Sequence, residues 1–332
     1  MKTFLARSAL AAVVMLCAMA PAGAQPVVKI RLAHELPITH YGHVYIDRWA
    51  KLVKEQSKGE IEIMVFPAGQ LYKDADAVQA LATGGLDMQL AVASYLSVII
   101  PQARIIDLPY LTPTPYELPE LLDPAKPLGA FLNARAKEKG INILSWWAAG
   151  DVMIVNGRGP VNTPADLKGL TLRVIGGAPA EATIKTLGAE PIHLSPVELT
   201  TAVSQGTVQG FESTYSYWKL FPTMKYGTNA GTVAMLGYAV MASDRAWGRL
   251  TPAQRALLQN TLAEVTAAEI AGVKELDGTD REALTKQGRQ IIVLPESEVK
   301  RWREATEPVY ARFEQEIGAD VMRLLAAQRK KQ

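Results

Sequence analysis

The sequence predicts a two-lobed α/β protein, and three observations carry that expectation. Strand-like alternation recurs at 28–33, 61–66, 141–146 and 171–175, with helical periodicity between these stretches. Strand, helix and strand follow one another at the spacing of a parallel sheet. Without its first 24 residues the 332-residue chain is 308 residues long, more than the roughly 250 to 300 at which a single core stops growing. No tandem repeat, low-complexity tract or long disordered linker separates two units. Two lobes without a linker imply a chain that crosses between them more than once.

In chain order, residues 1–24 read as a cleaved secretory signal. Lys2 and Arg7 precede an apolar stretch at 8–19, and Ala22-Gly23-Ala24 precedes Gln25. The apolar stretch is too short to span a bilayer. The only cysteine, Cys17, lies in this leader, so no thiol chemistry is expected of the mature chain. Losing Lys2 and Arg7 takes the formal charge from +2 to zero, which leaves no bulk attraction for nucleic acid or anionic membrane.

The helix expected after strand 28–33 places Val44, Trp49, Leu52 and Val53 largely on one face and stops near Ser57-Lys58-Gly59. Three later helix starts share a hydroxyl N-cap followed by proline: Thr163-Pro164-Ala165-Asp166, Ser195-Pro196-Val197-Glu198 and Thr251-Pro252-Ala253-Gln254. The second and third are also capping boxes. The helix from Ser195 is expected to stop at Gly206, a left-handed cap, with the next strand at 208–211. Glu212 and Ser213 then fall at that strand's C-terminal end, as Arg173 does on strand 171–175. Ligands of open α/β sheets sit outside the carboxyl ends of strands, so these three residues are expected to face one crevice. Arg173 has no acidic residue among its immediate sequence neighbours. A planar guanidinium so placed suits a carboxylate, held through two parallel hydrogen bonds. The basic end Arg329-Lys330-Lys331 reads as a solvated tail.

No Gly-x-Ser-x-Gly elbow, Gly-x-x-x-x-Gly-Lys run, His-Glu-x-x-His or Gly-x-Gly-x-x-Gly fingerprint is present, so no catalytic residue is expected. His34, His40 and His43 cluster beside Glu35. Zinc ligation is one reading of that cluster, but the spacing is irregular and a fourth position is missing. A loop after strand one and a helix start is the favoured reading, with neither metal nor cofactor expected.

The order and spacing of several short runs resemble the extracytoplasmic solute-binding subunit of a tripartite ATP-independent periplasmic (TRAP) transporter, of the dicarboxylate-binding type. The runs are Ser57-Lys58-Gly59-Glu60-Ile61 leading to Val65-Phe66-Pro67-Ala68-Gly69-Gln70-Leu71, then Gly85-Leu86-Asp87, Asp107-Leu108-Pro109-Tyr110-Leu111, the segment from Thr163 to Val174, and Gly206-Thr207-Val208-Gln209-Gly210-Phe211-Glu212. The resemblance implies a periplasmic-binding-protein fold of type II character, with crossing hinge strands and a long helix across both lobes, opening at the Thr251 cap. It implies lobe I at 26–150 plus 239–278 and lobe II at 151–238 plus 279–332. Arg173 matches the family arginine that pairs with the ligand carboxylate. Glu212 is expected to support it from behind or to contribute to a cation site, and His34 and Glu35 are expected at the cleft. Ser213 stands where many relatives have asparagine. Val152-Met153-Ile154 stands where the sialic-acid branch has a second arginine. One arginine with apolar and aromatic surroundings suits a monocarboxylate, with Tyr95, Trp147, Tyr215 and Trp218 as candidate walls.

The function so implied is a periplasmic receptor that captures a small organic acid and delivers it to membrane permease subunits driven by an ion gradient. Two alternatives stay open: a receptor with the same fold reporting to a sensor kinase, and a secreted hydrolase.

Overall fold

A computed structural model describes residues 27–329 except Ser195. The leader with Cys17, the capping box at Ser195 and the last residues of the basic end lie outside the described residues.

Among the described residues eleven strands form two sheets. In chain order they are β1 (Val28–Ala33), β2 (Ile61–Phe66), β3 (Met88–Val92), β4 (Ile141–Ala148), β5 (Val152–Asn156), β6 (Thr171–Val174), β7 (Glu190–His193), β8 (Gly210–Thr214), β9 (Tyr226–Asn229), β10 (Gly237–Ser243) and β11 (Gln290–Val293). The first sheet runs β2-β1-β3-β10-β4 and the second β11-β9-β5-β8-β6-β7. The neighbours β1, β2 and β3 are parallel, and β10 is antiparallel to both β3 and β4. In the second sheet β6 is parallel to β7 and β8, while β5 is antiparallel to β8 and β9.

The expected strands at 28–33 and 61–66 are β1 and β2. The expected strand at 208–211 instead begins at Gly210. Gly206 takes the left-handed conformation with φ 71°, and the chain reaches the ladder only where Gly210 pairs with Asn156. A Cβ on Gly210 would stand 2.3 Å from the Val155 carbonyl oxygen, so the close approach requires glycine. Glu212 and Ser213 therefore lie inside β8 rather than at its end.

The chain crosses between the sheets three times, the first two through short segments and the third, from β10 to β11, through a long helix. After β4 it leaves the first sheet through Ala149-Gly150-Asp151 and enters β5, and after β9 it returns through 230–236 into β10. Both short crossings are fastened. Asp277 accepts hydrogen bonds from the Asp151 N–H at 2.7 Å and the Tyr116 hydroxyl at 2.6 Å. Thr232 Oγ1 donates to the Thr112 carbonyl at 2.6 Å, and the Tyr110 hydroxyl to the Ala230 carbonyl at 3.0 Å.

Asp277 belongs to the helix Pro252–Lys286, whose 35 residues span about 52 Å. Its N-terminus is the capping box expected at Thr251: Thr251 N–H donates to Gln254 Oε1 at 2.9 Å, and Gln254 N–H to Thr251 Oγ1 at 3.2 Å. It packs on β4 and the helix Tyr41–Gln56 of one lobe and on β11 of the other. The architecture is the expected two-lobed α/β fold with crossing strands and a spanning helix.

One expected boundary differs. The C-terminal helices Glu296–Ile317 and Ala319–Arg329 follow β11 but do not stay with the second lobe. Val309, Phe313, Ile317, Val321 and Leu325 share a core with Leu108 and Leu128 of the first. The first turns of Glu296–Ile317 keep Val299 and Trp302 in the second-lobe core with Leu172 and Ile184, and only the later turns move across. Arg329 is no solvated tail residue: its guanidinium donates to the carbonyls of Tyr110 at 2.6 Å and Leu111 at 2.7 Å. Among the described residues no helix is long and apolar enough to cross a membrane.

Candidate functional site

The register of β6 and β8 sets Arg173 opposite Phe211, where the ladder between them ends. Beyond that point two carboxylates take over the backbone donors. Ile175 N–H donates to Glu212 Oε2 at 2.9 Å, and Gly177 N–H donates to Asp107 Oδ2 at 3.0 Å. The Ser94 hydroxyl also donates to Asp107. Burial raises the Glu212 carboxyl to about 7 and that of Asp107 to about 6, against the opposing pull of these N–H groups. Arg173 adds to that opposing pull on Glu212.

Arg173 itself is 6% exposed. Its Nε donates to the Leu194 carbonyl at 2.9 Å, which fixes the guanidinium plane. Among the described residues no carboxylate forms an ion pair with it. Burial lowers its pKa, and Tyr217, Glu212, Tyr95 and Tyr238 are near enough to oppose that. A guanidinium in this state has its charge desolvated and its terminal nitrogens available to an anion.

A cavity of about 70 Å³ lies in front of it, between the lobes. The second lobe contributes Arg173, Ile175, Ser213, Thr214 and Tyr217; the first contributes Glu35, Leu36, His40, Val92 and Tyr238. Ser213 donates its hydroxyl to the Thr214 carbonyl at 2.9 Å. Met153, which pairs with Ser213 across the strands, is buried in the core and brings no charge.

His40 caps the helix Tyr41–Gln56 through Nδ1, which accepts from the Gly42 N–H at 3.1 Å. Burial lowers its pKa to about 4, so its ring is neutral at neutral pH. His34 sits deeper. Its Nδ1 accepts from the Leu36 N–H at 3.1 Å, so Nε2 carries the proton and faces His43 Nδ1 at 3.2 Å. Those bonds occupy both ring nitrogens of His34, and no group of three or more potential metal ligands is found among the described residues.

Of the sequence-derived candidates, Arg173, Ser213 and Glu35 line the cavity, Glu212 stands behind it, and Tyr95 lies within electrostatic reach of Arg173. His34 is buried beside the cleft rather than on its wall. Three aromatic candidates are placed elsewhere. Trp147 is fully buried, its Nε1 donating to Thr266 Oγ1 on the long helix at 2.8 Å. Trp218 donates to the Met224 carbonyl at 2.8 Å and lies under the Arg289 guanidinium. Tyr215 is buried in the same core as Trp218. The reason is local: Tyr215–Trp218 forms one helical turn, and residues three apart share a face. Tyr217 falls on another face and lines the cavity instead. Sequence reasoning missed Tyr217, Tyr238 and His40, although the Thr214 N-cap before Tyr215-Ser216-Tyr217 was a signal for that turn.

Residues 32–316 match the model of the family described as bacterial extracellular solute-binding protein, family 7. The chain belongs to this family. This solute-binding protein is 29% identical over 311 residues to the C4-dicarboxylate-binding protein DctB of Bacillus subtilis, covering 93% of this chain and 88% of that one. It superposes with a TM-score of 0.84, at 29% identity, on a TRAP periplasmic solute-binding protein from Ochrobactrum anthropi whose C-terminus is bound in the ligand-binding pocket; 92% and 96% of the chains are covered. A TRAP periplasmic solute-binding protein from Ralstonia eutropha H16 with bound (S)-2-acetolactate superposes with a TM-score of 0.83 at 25% identity, covering 91% and 99%.

Proposed function

We propose that this solute-binding protein works in the periplasm, captures a small monocarboxylate between its lobes and delivers it to the membrane permease subunits of an ion-gradient-driven transporter. The observation that carries the reading is Arg173, a buried guanidinium aimed at an inter-lobe cavity without a carboxylate partner among the described residues. Closing the lobes on an empty cavity leaves that charge buried and unpaired, at a cost of about 3–5 kcal/mol. A bound carboxylate removes the cost, so the ligand decides whether closure is favourable.

One arginine favours one carboxylate. The other lysine or arginine on the cleft wall, Lys219, is paired with buried Asp280. A second ligand carboxylate would meet Glu35 and neutral His40 rather than a free cation. The Bacillus subtilis relative is named for C4-dicarboxylates; the Ralstonia eutropha protein, with a bound monocarboxylate, supports the narrower class.

The test is thermal stabilisation of protein unfolded and refolded to remove carried-over ligand, against mono- and dicarboxylates, with Arg173→Ala alongside. A monocarboxylate at one hundred times its dissociation constant should stabilise by about 2.7 kcal/mol and lose that effect in the variant. No response to any acid, or an undiminished response in Arg173→Ala, would remove the arginine clamp. A preference for dicarboxylates would overturn the narrower class alone.

A further inference from the structure

We propose that the ligand carries an apolar tail, alkyl or aryl, and that the tail lies in a second, larger groove continuous with the Arg173 cavity; this rests on the reading just given. The cavity alone, at about 70 Å³, has room for roughly two waters, enough for a carboxylate and little more. A groove of about 520 Å³ adjoins it, and His40 and Tyr217 line both spaces. A molecule whose carboxylate meets Arg173 therefore leads its other end past His40 and Tyr217.

What awaits it there is mainly apolar, although Thr39 and Tyr45 add hydroxyls on the first-lobe wall. Val44 comes from one lobe, Leu220 from the other and Leu276 from the spanning helix. Val44 is 54% exposed and Leu220 62% exposed, on opposite lobes of one cleft. The polar residues of the second-lobe wall are already engaged: Ser216 donates to Asp280 Oδ2 at 2.5 Å, and Lys219 pairs with the same carboxylate. Neither is left to recognise a charged or hydroxylated tail. Large exposed aliphatic side chains facing each other across a cleft gain by covering, and an apolar tail covers both at once.

The experiment measures dissociation constants of refolded protein for propanoate, pentanoate, heptanoate, 3-phenylpropanoate and succinate. Leu220→Asp, Val44→Asp and the distant surface control Val293→Asp are measured in parallel. Each methylene buried in the groove should tighten binding about fourfold. The ratio of propanoate to heptanoate constants should collapse toward one in Leu220→Asp and Val44→Asp, and hold in Val293→Asp. Propanoate and heptanoate binding equally, both dependent on Arg173, would overturn the tail groove and leave the monocarboxylate reading standing. A ratio that survives both groove variants would overturn it as well. If no acid in the series binds the wild-type protein, the receptor reading fails together with it.

Discussion

Replacing Glu269 with glutamine should stabilise the protein in a strongly pH-dependent way. Glu269 lies on the spanning helix, is 0% exposed, and neither carboxylate oxygen has a hydrogen-bond partner among the described residues. Burial raises its pKa from 4.5 to about 9, with only the Ala148 backbone in opposition. Because the folded-state value lies above the unfolded one, the folded protein binds more protons between them, and stability falls as pH rises across that window. Relative to full stability below pKa 4.5, the loss at about pH 7.5 is three units at 1.36 kcal/mol each, or about 4 kcal/mol. It levels near 6 kcal/mol above pH 9 or so. Glu269→Gln does not titrate, so its advantage over wild type should grow by about 4 kcal/mol between roughly pH 4.5 and 7.5. Urea unfolding at intervals across this range measures the difference. Taking the difference cancels the other raised carboxyls, Asp107, Asp151, Glu212 and Asp277, which lie in both proteins. Two parallel stability profiles would show that Glu269 is ionised and solvated in the folded state, and would refute the reasoning.

Arg173→Ala should weaken ligand binding by about 2–5 kcal/mol, roughly 30-fold to several thousand-fold, as read by calorimetry on refolded protein; binding retained within tenfold would count against the clamp. Arg173→Lys should recover only part of the loss, since lysine supplies charge without the planar fork; full recovery would mean that charge alone matters. Trp218→Ala should cost about 3–5 kcal/mol of stability while the folded fraction still binds ligand, and unchanged stability with lost affinity would return Trp218 to the cavity wall. Gly150→Ala should destabilise by at least 1–3 kcal/mol, because Gly150 has φ 90° and an added Cβ would stand 2.5 Å from Asp277 Oδ2; wild-type stability in that variant would contradict the hinge geometry.

In the first lobe β1 and β2 were legible because buried residues alternate along part of each strand, whereas β3 and β10 are buried almost throughout and were not legible. β5 gave no such signal, since all five of its residues are buried and a continuous apolar run has no period to read. Arg173, Glu212 and Ser213 could be brought together from the chain because neighbouring strand ends converge in an open sheet. The aromatic wall could not. Trp147 follows Trp146 in one strand, and which of the two faces the long helix depends on Thr266, far away in sequence. His40 reads as part of a loop and helix start, and only the opposing lobe makes it a cavity wall. The return of the C-terminal helices to the first lobe was hidden for a similar reason: an amphipathic stripe states that a face is buried, not against what.

The repeated crossing has a kinetic consequence. The first sheet is incomplete until β10 inserts between β3 and β4, yet β10 follows nearly all of the second sheet in the sequence. At about 5–20 residues per second of synthesis, the roughly 200 residues between β1 and β10 take about 10–40 s to appear. Neither lobe is an autonomous folding unit, and both must close long loops before their central contacts form. Folding should therefore be slow and late, completed only after almost the whole chain is available. Unfolding should couple the lobes, because β10, which holds the first sheet together, is tied through the buried segment 230–236 to β9 of the second.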